Sequence, residues 1–148
     1  MHIIAYFSQI QVPARDVTCE LEEIAKVSQK NNRENNITGA LLCEGSHFLQ
    51  LIEGKKAKLD QLFEKIKIDS RHTDITVLIN EPTNKRTCPD WSMEAFHLAN
   101  PDLVNKKTLK NLHRIYSHNF TTNAKTFLTF FRDMLDQLDT FKILHESV

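Results

Sequence analysis

Runs of apolar residues predict five strands within the first two thirds of the chain. Residues 3–8, 37–44 and 47–53 are rich in apolar residues and are predicted to be strands. The first and third of these runs are typical of strands in the interior of a sheet. Shorter runs at residues 76–79 and 92–98 predict a fourth and a fifth strand. Residues 44–46, a turn-forming Glu-Gly-Ser sequence, connect the second run to the third, which predicts a hairpin.

Apolar residues recur at helical spacing in two segments between these strands. This period predicts helices over residues 19–32 and 56–68, each with one buried face. Thr18 is the candidate N-cap of the first helix, because three glutamates follow it where the helix dipole favours negative charge. Asn35 and Asn36 then form the predicted turn, since asparagine tolerates the left-handed conformation that often ends a helix.

The order of these elements is strand, helix, strand, strand, helix, strand, strand. It predicts an α+β fold, a ferredoxin-like βαββαβ(β) sandwich. The mixed five-stranded sheet would carry both helices on one face, and its other face would need a cover.

The tail of the chain supplies a candidate cover. Residues 102–117 and 122–141 are predicted to be helices, and the second has an apolar stripe wider than a lone surface helix needs. The stripe consists of Phe127, Phe131, Met134, Leu138 and Phe141. It is expected to pack on the bare sheet face, on another subunit, or on both. We therefore expect a domain over residues 1–98 and a helical extension over 99–148 that serves output or oligomerisation.

Composition removes several classes of function. The 19 basic and 19 acidic residues of the 148-residue chain cancel, so bulk charge favours neither nucleic acid nor an anionic membrane. No apolar run approaches the length of a membrane span. Three distant cysteines without metal-ligand spacing favour reduced thiols in a cytoplasmic protein. With only three glycines, a glycine-rich phosphate loop is also excluded.

Gln50 is the polar exception in the apolar third strand. Burying an amide without partners costs about 1–3 kcal/mol, so Gln50 is either held by the protein or faces a polar ligand. The predicted topology brings further polar residues to the same cleft between helices and sheet. They are Tyr6, Asn31, Asn32, Asp69, Arg71 and His72. Ile24 and Ile66 face this cleft from the two helices, so it suits a flat heteroaromatic ring with polar edges.

Six segments match a known family in order and spacing over residues 1 to about 97. They are Tyr6-Phe7-Ser8, Ser28-Gln29-Lys30-Asn31-Asn32, Asn36-Ile37-Thr38-Gly39, Phe48-Leu49-Gln50-Leu51-Ile52-Glu53-Gly54, Asp69-Ser70-Arg71-His72 and Trp91-Ser92-Met93. Together they resemble the BLUF domain, the blue-light sensor that uses flavin, in its short single-domain type. The resemblance implies FAD rather than FMN as the cofactor.

The resemblance assigns the photochemistry to two residues. Tyr6 would donate an electron and a proton to the photoexcited flavin, and Gln50 would lie between Tyr6 and the ring. Trp91 and Met93 would be the relay pair whose position responds to Gln50. A phenol with an ordinary pKa near 10 keeps its proton in the dark.

The resemblance also assigns the contacts of the flavin. Ile24 and Ile66 would sandwich the ring, and Asn32 would hold its pyrimidine edge, with Asn31 and Ser28 nearby. The polar edge of the ring or the ribityl chain would lie near Asp69, Arg71 and His72. Lys65 stands where the family often has arginine, which weakens a specific phosphate or ribityl contact there.

The leading hypothesis is a non-enzymatic blue-light photoreceptor that signals to a separate protein and associates with itself through its tail. A flavin-dependent oxidoreductase on a ferredoxin-like fold is the alternative, although no nicotinamide site is visible. A cofactor-free binding module is the third. Asp69 and His72 could suggest a metal, but two ligands on one loop are too few.

Overall fold

A computed structural model describes residues 1–98, 106–116 and 124–138 of the chain. The strands are β1 His2–Ile10, β2 Thr38–Glu44, β3 His47–Gly54, β4 His72–Pro82 and β5 Glu94–Leu98. The helices are α1 Val17–Glu34, α2 Lys56–Lys67, α3 Lys106–Tyr116 and α4 Ala124–Gln137, and a short 3₁₀ turn at Ala14–Asp16 precedes α1.

The five strands form one mixed sheet in the order β4-β1-β3-β2-β5. The β1 strand lies antiparallel between β3 and β4, β2 and β3 form the predicted hairpin, and β5 runs parallel to β2 at the edge. This is the predicted βαββαβ arrangement with an additional edge strand, so the fold class is confirmed.

Side chains alternate between two cores, one on each face of the sheet. Ile4 and Tyr6 of β1 face one way, in the core that contains Leu21 of α1 and Phe63 of α2. The intervening residues of β1 and β3 face the other way, into the core formed with α3 and α4. Because successive side chains of a strand point to opposite faces of the sheet, every second residue of a strand enters the same core.

The tail helices cover the sheet face that α1 and α2 leave bare. Four of the five stripe residues are buried in the core of this face, namely Phe127, Phe131, Met134 and Leu138. The fifth, Phe141, lies outside the described residues. Packing on the sheet is thus confirmed, whereas the division of the chain at residue 98 stays a prediction. No helix in the described ranges is long and apolar enough to cross a membrane.

Two local predictions were wrong. The helix α1 begins at Val17 after Asp16, so Thr18 lies inside it, and the Thr18 hydroxyl contacts Nδ1 of His97 at 3.1 Å. The fourth strand is 11 residues long rather than the predicted 76–79. It is an edge strand with mostly exposed or half-buried residues, so apolar content did not reveal its ends.

Two tight positions hold β2 in place at its start. Asn36 has a φ of 54°, which confirms the left-handed turn expected between α1 and β2. A Cβ on Gly39 would lie 2.2 Å from the carbonyl oxygen of Leu51, so only glycine allows β2 to approach β3 this closely.

Candidate functional site

A cavity of about 300 Å³ lies between α1, α2 and the sheet. Its lining includes every residue predicted to contact a cofactor: Tyr6, Ile24, Ser28, Asn31, Asn32, Gln50, Lys65, Ile66, Asp69, Arg71 and His72. The contributions from α1 recur at three- and four-residue steps, which places them on one face of the helix. The structure therefore brings the predicted set together, while the role of each residue in binding stays a prediction.

Tyr6 and Gln50 are cross-strand neighbours on β1 and β3. Both side chains point to the α1–α2 face, both are buried, and the Tyr6 hydroxyl donates a hydrogen bond to Oε1 of Gln50. The amide that the sequence left without a partner is thus bonded to the protein and lines the cavity as well.

The phenol of Tyr6 does not keep an ordinary pKa. Burial raises its pKa far above the usual value, and the nearby negative charge of Asp69 raises it further. The expectation of a pKa near 10 for Tyr6 was therefore wrong, but the raised pKa supports the conclusion that the phenol keeps its proton in the dark. The hydroxyl holds its proton at any physiological pH unless an electron is removed as well.

The amide nitrogen of Gln50 faces a weak hydrogen-bond acceptor. Its Nε2 lies 4.0 Å from Sδ of Met93, a thioether with little capacity to accept hydrogen bonds. A ligand carbonyl in the cavity would be a stronger acceptor for the same N–H group.

Met93 and Trp91 lie on opposite sides of the sheet. Met93 is buried and lines the cavity, whereas Trp91 packs against the other core, with its ring 5.9 Å from that of Phe96. The pair predicted to act as a relay is therefore divided between the two faces of the sheet, and Met93 is the member that contacts Gln50. The sequence left open which of the two points inward.

The segment that carries this pair is bonded to α1 by two amides. Asn32 donates from Nδ2 to the carbonyl of Ser92 at 2.6 Å, and Gln29 donates from Nε2 to the carbonyl of Met93 at 2.9 Å. Asn32 is almost fully buried and lines the cavity, so it joins the cavity wall directly to this segment.

Asp69 and Arg71 form a two-pronged ion pair at the rim of the cavity. The guanidinium donates from Nε and Nη2 at 2.9 and 2.6 Å, and a third bond of 3.4 Å reaches Glu20. These bonds from Arg71 hold the pKa of the Asp69 carboxyl below its usual range, and they raise the pKa of Arg71. Both side chains of this ion pair are thus charged at neutral pH.

His72 connects the sheet to the α2 wall. Its Nδ1 lies 2.7 Å from the hydroxyl of Ser8, and its Nε2 lies 2.6 Å from the carbonyl of Ile66. Since a carbonyl only accepts, Nε2 carries the proton and Nδ1 accepts from Ser8 in the neutral ring. This arrangement fixes the position of Ile66 at the wall, while Lys65 beside it is exposed.

Several lining residues were missed by the sequence reasoning. They are Glu23, Val27, Leu41, Phe48 and Leu62. Their periodicity could have found them, because Phe48 precedes Gln50 by two residues and Leu62 precedes Ile66 by four. In the described part of the chain, histidine, cysteine and acidic residues form no cluster that could hold a metal.

The donors and walls of the cavity fit a flavin. Half-buried Ile24 and Ile66 offer apolar surface from the two helices, and the amides of Asn32 and Gln50 are buried at the inner edge. An isoalloxazine ring has the same division, with apolar faces and an edge of carbonyl and N–H groups.

Comparison with known proteins agrees with this geometry. The family model described as sensors of blue light using FAD matches residues 1–94. The beta subunit of the photoactivated adenylate cyclase of Euglena longa is 41% identical over 78 residues, which are 53% of this chain and 9% of that protein. The chain thus spans about a tenth of the length of that relative.

Solved structures give the same result. A bacterial light-regulated adenylyl cyclase is 35% identical, with a TM-score of 0.67 over 80% of this chain and 34% of that one. BlrB, a BLUF protein in its dark state, is 31% identical, with a TM-score of 0.62 over 80% of this chain and 96% of that one. A family model that spans most of the chain, with relatives above 30% identity, shows that this chain belongs to the BLUF family, the flavin-binding sensors of blue light.

Proposed function

We propose that this chain is a blue-light photoreceptor whose photochemistry runs through Tyr6 and Gln50. The observation that supports it best is the hydrogen bond from the Tyr6 hydroxyl to Oε1 of Gln50, made at the wall of the cavity. The hydrogen bond connects the phenol of Tyr6 to the amide of Gln50, and this amide would contact a ring bound in the cavity.

A flavin, when bound and excited, supplies an acceptor for one electron and one proton. Tyr6 is the donor of both, since its raised pKa prevents loss of the proton alone. Its proton would pass along the hydrogen bond to Oε1 of Gln50, and a proton from Nε2 would pass on to the ring. Once Tyr6 has regained an electron and a proton, Gln50 would keep an altered orientation or tautomer that donates more strongly to a carbonyl of the ring. The stronger bond shifts the absorption to the red.

The cofactor of this proposal is FAD rather than FMN. The family description names FAD. Ile24 and Ile66 would hold the ring, Ser28, Asn31 and Asn32 its pyrimidine edge. Asp69, Arg71 and His72 would lie near the polar edge or the ribityl chain. Exposed Lys65 at the rim is available to a phosphate, as a point charge without the fork geometry of arginine.

Output is proposed to pass through β5 to α3 and α4 and then to a separate signalling protein. The chain itself would not be an enzyme, and its tail helices would also support self-association. Relatives named as light-regulated cyclases carry their catalytic function in the same protein. A reducing, cytoplasmic location belongs to this proposal, because Cys19, Cys43 and Cys88 are free thiols.

Absorption spectroscopy tests the proposal directly. Protein purified with FAD should be yellow, shift to the red under blue light and recover in darkness. Tyr6→Phe should bind the same amount of FAD and lose the red-shifted state, because the electron and proton donor is gone. A photocycle that survives in Tyr6→Phe contradicts the mechanism, and bleaching of the wild type by NADH favours the oxidoreductase.

A further inference from the structure

Three consecutive backbone carbonyls precede β5, and each accepts a hydrogen bond from the α1–β2 region. The carbonyl of Trp91 accepts from the backbone N–H of Gly39 at 2.9 Å. The carbonyls of Ser92 and Met93 accept from the side chains of Asn32 and Gln29 at 2.6 and 2.9 Å. We call residues 91–93 the relay segment. Its backbone is therefore fixed residue by residue.

The two amides that hold the relay segment differ in their relation to the cavity. Asn32 lines the cavity and would meet a ligand, so its replacement would alter binding and relay together. Gln29 is buried with 9% of its surface exposed, and it is not part of the cavity lining. Gln29 reaches the relay segment from α1 and bonds to the backbone of Met93, the residue whose side chain faces Gln50.

We propose that Gln29 is a positioning residue that holds Met93 against Gln50 and sets how easily the relay segment leaves this position. The inference rests on the proposed function, since it concerns the same relay. The physical reason is that Sδ of Met93 contacts Gln50 only weakly, at 4.0 Å. The position of the thioether therefore depends on the fixed backbone and on the apolar core in which Met93 is buried, more than on that contact.

Two substitutions remove the donor of Gln29 in different ways. Gln29→Met keeps the length of the side chain and its helix propensity, whereas Gln29→Glu keeps its shape and places an acceptor opposite the carbonyl of Met93. Lys30→Met is the matched control, because Lys30 is the exposed next residue of the same helix. All variants should bind FAD as the wild type does.

The first measurement needs no light and no flavin. Amide hydrogen exchange at Gly39, measured by NMR in the flavin-free protein, reports the bond to the carbonyl of Trp91. Both Gln29 variants should exchange this amide about fivefold faster than Lys30→Met, the factor that corresponds to one ordinary hydrogen bond. Unchanged exchange in either Gln29 variant overturns the proposal, and a change in Gln29→Met alone identifies shape rather than the bond as the cause.

The second measurement uses the flavin-loaded protein and its single tryptophan, Trp91. In the Gln29 variants the difference in Trp91 fluorescence between dark and illuminated samples should shrink, and dark recovery should slow by up to about fivefold. Values equal to those of the Lys30→Met control overturn the proposal. If the wild type shows no red shift, the proposed function fails, while exchange at Gly39 still tests Gln29.

Discussion

At the scale of single residues, the site depends on one buried phenol surrounded by fixed partners. Tyr6 is bonded to Gln50, and its raised pKa derives first from burial and then from the charge of Asp69. Asp69 is in turn kept ionised by Arg71. The ion pair at the rim therefore raises the pKa of Tyr6, the residue proposed to carry the photochemistry, through the charge of Asp69.

Replacement of Asp69 by asparagine should make the free energy of unfolding less dependent on pH in the acidic range. The folded-state pKa of Asp69 is lowered, so its contribution is present above the unfolded pKa and is lost as pH falls through the folded pKa. Urea midpoints of the wild type and Asp69→Asn should differ most near about pH 7 and converge toward about pH 2.

Asp60→Asn is the control for this titration, since Asp60 forms an exposed pair with Lys56 on the surface of α2. Its difference from the wild type should be small, as is usual for surface ion pairs. A gap between the wild type and Asp69→Asn that is constant across pH contradicts the assignment.

At the scale of elements, apolar periodicity predicted the strands that are buried but did not predict the ends of the exposed strand β4. Tyr6 and Gln50 lie on β1 and β3, where the strands and the cleft followed from pattern and topology. The exposed edge strand β4 carries register irregularities and a positive φ at Asp74, so its ends were not readable from apolar content. The hydrogen bond of Gln29 to the relay segment could not be inferred either, because its partner is a backbone carbonyl, which the sequence does not display.

Glu53, a buried residue at the end of β3, anchors the loop between β4 and β5 ahead of the relay segment. Its carboxylate accepts from the backbone N–H groups of Thr87 and Cys88 at 2.7 and 2.6 Å, and from the Thr38 hydroxyl at 2.9 Å. Glu53 is fully buried, so these bonds replace water. The loop leading into the relay segment is thus held at Thr87 and Cys88 as well.

Glu53→Gln should destabilise the protein by about 1–3 kcal/mol, because the new amide nitrogen cannot accept from a backbone N–H. Urea unfolding measures the loss, and exposed Glu81→Gln on β4 is the control that should lie near the wild type. Equal midpoints for the two variants contradict the role of Glu53 as an anchor.

At the scale of the whole molecule, the sheet separates the cavity from α3 and α4. The α4 helix buries Phe127 and Phe131 on the far face of the sheet. The loop before the relay segment reaches this helix, because Arg132 donates from Nη1 to the carbonyl of Thr87 at 2.7 Å. A displacement of the relay segment therefore has a polar contact through which it can change α4.

Arg132→Met tests whether this contact carries the signal. We expect FAD binding, the red shift and its recovery to stay as in the wild type, because Arg132 lies on the opposite side of the sheet from the cavity. The change that illumination produces in amide exchange along α4 should decrease, since the loop no longer holds the helix. Lys125→Met, also exposed on α4, is the matched control and should keep the full change. If Arg132→Met responds to light as this control does, the signal reaches α4 through the packed core of the sheet instead.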